Sequence, residues 1–372
     1  MIDQLTELLT YIGLYLNTLM MGLWVFVLGA CIGSFLNVVI YRLPAGMALS
    51  HPGSRCPFCE TELAARDNIP ILGWVFLRGK CRYCSVPIAA RYPLIESLVG
   101  LAFLILFMVE TNQGATNLPF VPMNPMRFGA FDALIRLGQW ELPAWFVVHA
   151  FYLTTVLAIC MIAVDGHHTP VRLTVFGLVM GIVVGCVWPA MRPVQSLQPM
   201  PSALDQYWGF HWQAPAWLGN RFMTTGVGTV GLIDGLAGVA SGLVAGILAG
   251  RAAGPGTPAD SALRNVLLLT GVTCGWQMTW PLLAVMLLAT SLLTALSPSI
   301  RNAAIPLLLF AASSGLLLYW DTALNGIFLI RHDGWRWTSA GATVDWAVTI
   351  AVLTALAILL SVARRPASDT AA

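Results

Sequence analysis

Long apolar runs separated by short polar stretches set the plan of this chain. A helix that crosses a bilayer needs about 20 mostly apolar residues. Runs of that kind fall near 20–41, 93–110, 144–165, 173–190, 228–250, 263–279, 281–297, 302–320 and 344–363. They predict an all-α polytopic membrane protein with about nine transmembrane helices, the sixth and seventh divided at Trp280-Pro281. Polar loops lie between them near 43–92, 111–142, 191–227 and 321–343. The first run is read as a retained helix and not as a signal peptide. Asp3 and Glu7 stand where a basic segment belongs, the apolar stretch to Ile40 is too long, and no small-residue cleavage site precedes Arg42.

Composition agrees with a bilayer as the main solvent. Of 372 residues, 58% are hydrophobic and 10% charged, where soluble domains carry about 25% charge. The mean hydropathy is +0.76. A net charge of +2 does not point to nucleic acid, and its distribution says more. With the N-terminus outside, the inner side holds thirteen Lys and Arg against six on the outer side. Because cytoplasmic loops retain basic residues, this bias puts the 43–92 loop in the cytoplasm. The outer loops at 111–142 and 191–227, rich in Pro, Trp and Asn, suit the membrane interface.

The cytoplasmic loop carries Cys56-Pro-Phe-Cys59 and Cys81-Arg-Tyr-Cys84. Two residues between thiols let one turn of chain offer both sulfurs to a tetrahedral ion, and two such turns close a zinc-ribbon-like structural site. Zinc or a similar soft metal is expected. Two disulfides, the alternative, are disfavoured in a reducing compartment. Cys31, Cys160, Cys186 and Cys274 stand singly in apolar helices and read as packing residues.

Here the sequence resembles a known family. Gly33-Ser-Phe-Leu-Asn-Val-Val-Ile-Tyr-Arg-Leu-Pro44, Ser54-Arg-Cys-Pro-Phe-Cys59, Asp67-Asn-Ile-Pro-Ile-Leu-Gly-Trp74, Leu77-Arg-Gly-Lys-Cys81 and Arg91-Tyr-Pro-Leu-Ile-Glu96 follow in order the opening region of the type IV prepilin peptidases, GxGD-type aspartic enzymes. The likeness runs from about 29 to 105. It implies leader cleavage from prepilins or pseudopilins of type IV pilus and type II secretion systems at the cytoplasmic face of the inner membrane. It also implies N-methylation of the new terminus, with S-adenosylmethionine bound nearby. From the residues alone, Pro93 suits a first helical turn. Glu96 is equally well an acid that favours the helix dipole or a functional group.

Aspartic peptidases need two carboxylates, one acting as base toward water and one as acid toward the carbonyl. Asp165, in Ile162-Ala-Val-Asp165-Gly-His-His-Thr-Pro170, ends the third helix and resembles the family's first catalytic aspartate. Its loop is about two residues shorter than the family's and lacks the leucine-proline-aspartate ending. The bland alternative is an Asp-Gly turn. His167 and His168 read as interfacial polar residues. The family's second motif, Gly-x-Gly-Asp-x-Lys, does not survive: counting back from Gly275-Trp-Gln277 puts Leu263 on the aspartate and Asn265 on the lysine. Asp260, three residues earlier, is the substitute acid, with an N-cap or first-turn role as its equal alternative. Asp234 lies too far along its helix to meet Asp165. It invites a polar partner instead. Gly235, Gly238, Gly242, Gly246 and Gly250 mark a helix-packing face.

The expected organisation is a first transmembrane helix over 1–42, the four-Cys loop over 43–92, a peptidase-like core over 93–320, and an outer loop with an extra C-terminal helix over 321–372. Partners are prepilin or pseudopilin precursors and the lipid bilayer. A catalytically inactive paralogue, acting as a membrane scaffold or binding protein, is the alternative. A transporter fits poorly, since few charges line the helices.

Overall fold

The computed structural model describes residues 2–51, 53–113, 117–118, 141–188, 192, 227–293 and 297–320. The expected ninth span at 344–363, and most of the expected outer loops, lie outside the described residues. Among the described residues the fold is helical, with two isolated bridges and no strand. The helices are α1 (Ile2–Arg42), the short α2 (Leu72–Phe76), α3 (Arg91–Leu106), α4 (Glu141–Val164), α5 (Val171–Val187), α6 (Val227–Ala253), α7 (Pro258–Cys274), α8 (Trp276–Leu292) and α9 (Pro298–Leu318). Among the described residues, five segments are long and apolar enough to cross a membrane: Gln4–Arg42, Arg91–Asn112, Leu142–Val164, Gly231–Ala253 and Ile300–Leu318. Val171–Val187 and Met278–Leu292 are shorter apolar helices.

Two boundaries differ from the hydrophobic pattern. The first helix begins at Ile2, not near 20, and has 41 residues. At 1.5 Å per residue it is about 60 Å long, twice the bilayer's apolar core of about 30 Å. Its added turns, Ile2 to Leu19, contain no proline and many good helix formers, so helix continues where hydropathy fades. The division between α7 and α8 falls at Gly275, not at Trp280-Pro281. Gly275 has φ +102° and ψ 156°, a conformation open to glycine. Pro281 instead sits inside α8.

The chain divides into two compact units, with the boundary inside α4: residues 1–116 with 122–154, and 117–121 with 155–372. In the first unit, α1 and α3 pack through glycines. A Cβ on Gly29 would lie 2.9 Å from the Gly100 Cα, and one on Gly33 would lie 2.8 Å from the Glu96 Cα. Small residues at such points let backbones approach where no hydrophobic force drives helices together. Beyond Leu106 the helix widens into a π-helical turn, Phe107–Asn112. Phe103 and Phe107 meet the Phe146 ring edge to face at 5.7 and 6.4 Å between centroids. Glu110, in the π turn, accepts or shares a proton with His149 Nδ1 at 2.7 Å, both side chains fully buried.

In the second unit α7 is the central element, buried almost all round and packed by α5, α6, α8 and α9. A helix of that kind belongs inside a bundle. Its closest partner is α6. The glycine face expected from the sequence is what lies against it: Cβ atoms on Gly242 and Gly246 would stand 2.6 Å from the Leu268 Cα and 2.9 Å from the Arg264 Cα. A Cβ on Gly238 would overlap the Gly271 carbonyl oxygen. At the other end of α6, Arg192 is buried, 2% exposed. Its guanidinium donates to the carbonyls of Gly181 (3.2 Å), Gly231 (2.8 Å) and Val272 (3.1 and 2.7 Å). Asp234, also buried, is close enough to act on it electrostatically. The polar partner expected for Asp234 is therefore an arginine that the hydrophobic pattern assigns to an outer loop.

Candidate metal centre and membrane acids

The four cysteines converge. All four sulfurs lie within 4.8 Å of one another, and Cys56 Sγ stands 3.7 Å from Cys84 Sγ. A tetrahedral ion with Zn–S bonds of about 2.3 Å requires sulfurs about 3.8 Å apart. A disulfide requires about 2.05 Å, and all four thiols are free. The donor set fits a closed structural metal site.

Two copies of one backbone turn build it. In the first, Cys56 N donates to Thr61 O (3.0 Å) and Glu60 N to Cys56 O (2.9 Å). In the second, Cys81 N donates to Val86 O (2.9 Å) and Ser85 N to Cys81 O (3.0 Å). Each copy is framed by a bridge, Arg55 to Glu62 and Lys80 to Pro87. Each places a non-glycine residue in the left-handed region just after its second cysteine, Glu60 at φ 57° and Ser85 at φ 58°. Such conformations persist where surrounding structure over-determines them.

The thiols are not equivalent. The Thr61 hydroxyl and backbone N–H lower Cys59 to about 6. Backbone N–H groups of Cys84 and Tyr83 lower Cys81. At Cys84 the Val86 N–H favours the thiolate, but desolvation and the three facing sulfurs outweigh it and push the thiol up to about 12. The last proton of a thiolate cluster is hard to remove without a cation. A divalent ion supplies the missing charge. Beside the site, Asp67 takes the Arg82 side chain in a bidentate grip, with Nε to Oδ2 at 2.8 Å and Nη2 to Oδ1 at 2.5 Å. That guanidinium holds the Asp67 carboxyl below the usual carboxylate range.

The remaining cysteines separate. Cys160 and Cys274 are buried, as expected of packing residues, and Cys186 is half-buried. Cys31 is exposed on α1, so it is not a core residue.

In the second unit, Asp165 is the C-cap of α4. Gly166, at φ +81°, donates to Ala163 O at 3.0 Å, and His167 N donates to Ile162 O at 3.1 Å. This is a Schellman ending with glycine at C′. It uses the backbone of Asp165 and makes no use of an acid there. A carboxylate at a helix C-terminus opposes the macrodipole by about 0.3–1 kcal/mol. Asp165, His167 and His168 are exposed.

Asp260 is placed in the opposite sense. The N-cap of α7 is Thr257, whose hydroxyl accepts the Asp260 N–H at 3.1 Å. Asp260 is the third residue of the helix, and its Oδ2 accepts the Gly256 N–H at 2.9 Å. Its Oδ1 takes Arg264, four residues on. This is close to a capping box, with the charge favoured by the dipole. The loop from Gly254 to Thr257 is a tight turn with φ of 112° and 75° at its two glycines. Leu263, in the register of the family's aspartate, is completely buried.

A polar ladder joins the two acids' neighbourhoods. Thr169 N, four residues after Asp165, donates to Ser261 Oγ at 3.0 Å. Asn265 Nδ2 donates to Ser261 O at 2.7 Å, and Thr174 Oγ1 donates to Asn265 Oδ1 at 2.8 Å. The connection after Asp165 is thereby fastened to the first turns of α7.

Comparison with known proteins finds a family model that matches within the first unit. The family described as "Bacterial Peptidase A24 N-terminal domain" matches residues 27–109. Similar curated proteins include the "Prepilin leader peptidase/N-methyltransferase" of Myxococcus xanthus, 55% identical over 82 residues, which is 22% of this chain and 24% of that protein. The "Type 4 prepilin-like proteins leader peptide-processing enzyme" of Escherichia coli is 41% identical over 104 residues, 23% of this chain and 39% of that protein. The "Prepilin leader peptidase/N-methyltransferase" of Burkholderia pseudomallei is 32% identical over 182 residues, 42% of this chain and 56% of that protein. The chain thus spans between a quarter and just over half of these relatives. No solved structure matches it.

Proposed function

We propose that this chain processes type IV prepilin or pseudopilin precursors at the cytoplasmic face of the inner membrane. The N-terminus lies outside and the four-Cys loop, holding zinc, lies in the cytoplasm. The reaction is leader cleavage by two aspartates, followed by methylation of the freed N-terminus with S-adenosylmethionine as donor. The observation that carries the peptidase reading is the ladder from Thr169 through Ser261 and Asn265 to Thr174, because it ties the Asp165 connection to the helix start that bears Asp260. In this reading Asp260, held in place by Arg264 and the Gly256 N–H, takes the proton of the attacking water. Asp165 protonates the leader's scissile carbonyl from the negative end of its helix. The methylation and the substrates rest on the relatives' names and on the similarity over 27–109.

A second reading is favoured by a specific observation. Both Asp260 oxygens already have partners that a helix start needs, and the aspartate register holds buried Leu263. On that reading the chain binds precursors as a non-cleaving membrane scaffold. Co-expression with a prepilin or pseudopilin precursor separates the two. Wild type should yield the mature form, while Asp165→Ala and Asp260→Asn, at equal membrane levels, should yield none. Unprocessed precursor with wild type would establish the scaffold. Processing that survives Asp260→Asn would remove that residue from the acid pair.

A further inference from the structure

The segment between the two cysteine turns is a strap fastened at three points. At its start the 3-10 turn Ala65–Asp67 puts the Asp67 carboxylate, 1% exposed, on Arg82 between Cys81 and Cys84. In its middle Ile71 adopts φ 62° and ψ −56°, a strained conformation for a β-branched residue. Its N–H donates to Glu96 Oε2 at 2.6 Å. Glu96 is a buried acid on α3, 8% exposed. At its end Trp74 donates from Nε1 to Ile88 O at 2.9 Å, and its ring covers Gly79, where a Cβ would stand 2.9 Å from Cζ2. The strap also folds on itself: a Cβ on Gly73 would lie 2.9 Å from the Asp67 carbonyl carbon.

Neither Asp67 nor Glu96 offers an atom to the four-sulfur site. The strained Ile71 is instead held from both sides, by a carboxylate on α3 and by the clamp on the second cysteine turn. Strain of this kind persists only where the surroundings over-determine it. Outer partners of metal ligands orient them, and their loss costs about 10–100-fold in metal affinity.

We propose that Asp67 and Glu96 are positioning residues that make metal binding and the seating of the loop on α3 one cooperative event. Asp67 orients the Cys81–Cys84 turn through Arg82, whose positive charge also lies beside a four-thiolate centre of negative net charge. Glu96 anchors the strap to the first turns of α3. The inference rests on the reading of the four sulfurs as a metal site.

The test uses the full chain purified in micelles, with no activity measurement. Metal content is measured by elemental mass spectrometry, zinc release by a chromogenic chelator, and backbone exchange by hydrogen–deuterium mass spectrometry. Wild type should hold one metal per chain. Asp67→Asn should release it about 10–100-fold faster. Arg82→Lys, which keeps the charge but loses the bidentate grip, should do the same and serves where Asp67→Asn fails to accumulate. Glu96→Gln should raise exchange at Ile71 and Gly73 and, because the coupling is reciprocal, also release metal faster than wild type. Stripping metal from wild type should raise exchange at the same amides and in residues 91–97. A metal-loaded wild type with both clamp variants releasing at the wild-type rate would overturn the proposal. So would unchanged exchange at Ile71 after stripping. Wild type without metal would overturn the metal reading itself, a different result.

Discussion

Substituting Gly242 by alanine tests whether the α6–α7 contact holds the second unit together. The added Cβ would stand 2.6 Å from the Leu268 Cα and 2.7 Å from the Leu267 carbonyl oxygen, where ordinary contact is 3.4 Å or more. Both obstacles are backbone, so no rotamer change relieves them. The helices must part by about 0.8 Å, the difference between 3.4 and 2.6 Å. A gap of 0.5–1 Å forfeits a quarter to a half of the attraction between touching atoms. Overpacking of this kind costs about 1–3 kcal/mol. Against it stands the intrinsic gain of alanine over glycine in a helix, about 0.5–1 kcal/mol. The net destabilisation should be up to about 2.5 kcal/mol. Gly315, in α9, is the control, because a Cβ there meets nothing within 4 Å. Gly315→Ala should be neutral or stabilising. Unfolding of both variants in mixed micelles measures the difference. A Gly242→Ala protein as stable as Gly315→Ala would refute the close-contact account.

Acid should weaken the loop through Asp67. Its folded pKa lies below its unfolded value of about 3.9, so its contribution is complete above that value and disappears as pH falls through the lower folded one. The resistance of residues 65–90 to protease should therefore differ between wild type and Asp67→Asn at pH 5–7 and converge in stronger acid; a gap that persists unchanged at pH 2 would contradict this. Chelation of the metal should open the loop between 53 and 90 to protease while leaving the helices intact, since the loop has little core of its own; an unchanged digest would show that the metal does not support it. His149→Leu removes the 2.7 Å partner of buried Glu110 and should cost about 1–3 kcal/mol in micelle unfolding, more than Glu110→Gln together with His149→Leu; equal stability to wild type would deny the pair a structural role.

Helices and the metal site were readable because each depends on local pattern. An apolar run of about 20 residues and a C-x2-C pair carry their own geometry. What the pattern could not give depends on which helices face one another. Glu110 and His149 are 39 positions apart, and only the packing of α3 against α4 makes them partners. Arg192 sits in a Pro- and Trp-rich stretch that hydropathy assigns to water, yet it is buried against three helix carbonyls. The glycine face of α6 was legible as a packing surface. Its partner α7 was not. Ile71 carried no sequence signal of strain, although Pro70 before it and Gly73 after it mark a bend.

The two acids are best weighed by asking what each would do in a protein with no chemistry to perform. Asp260 would still be selected. It completes the cap begun by Thr257, neutralises Arg264, and sits at the positive end of α7. Its presence is therefore weak support for catalysis. Asp165 has no such employment in the helix ending, because Gly166 and the backbone of His167 make the Schellman bonds and the macrodipole opposes a negative charge there. Asparagine at 165 would keep the same ending and remove the opposition. Asp165→Asn should accordingly leave the helix ending intact while abolishing leader processing, and Asp260→Asn should lower stability whatever it does to processing. A folded, inactive Asp165→Asn would mark that acid as kept for chemistry. If Asp165→Asn instead unfolds the protein, the residue is structural and the peptidase reading loses its better aspartate.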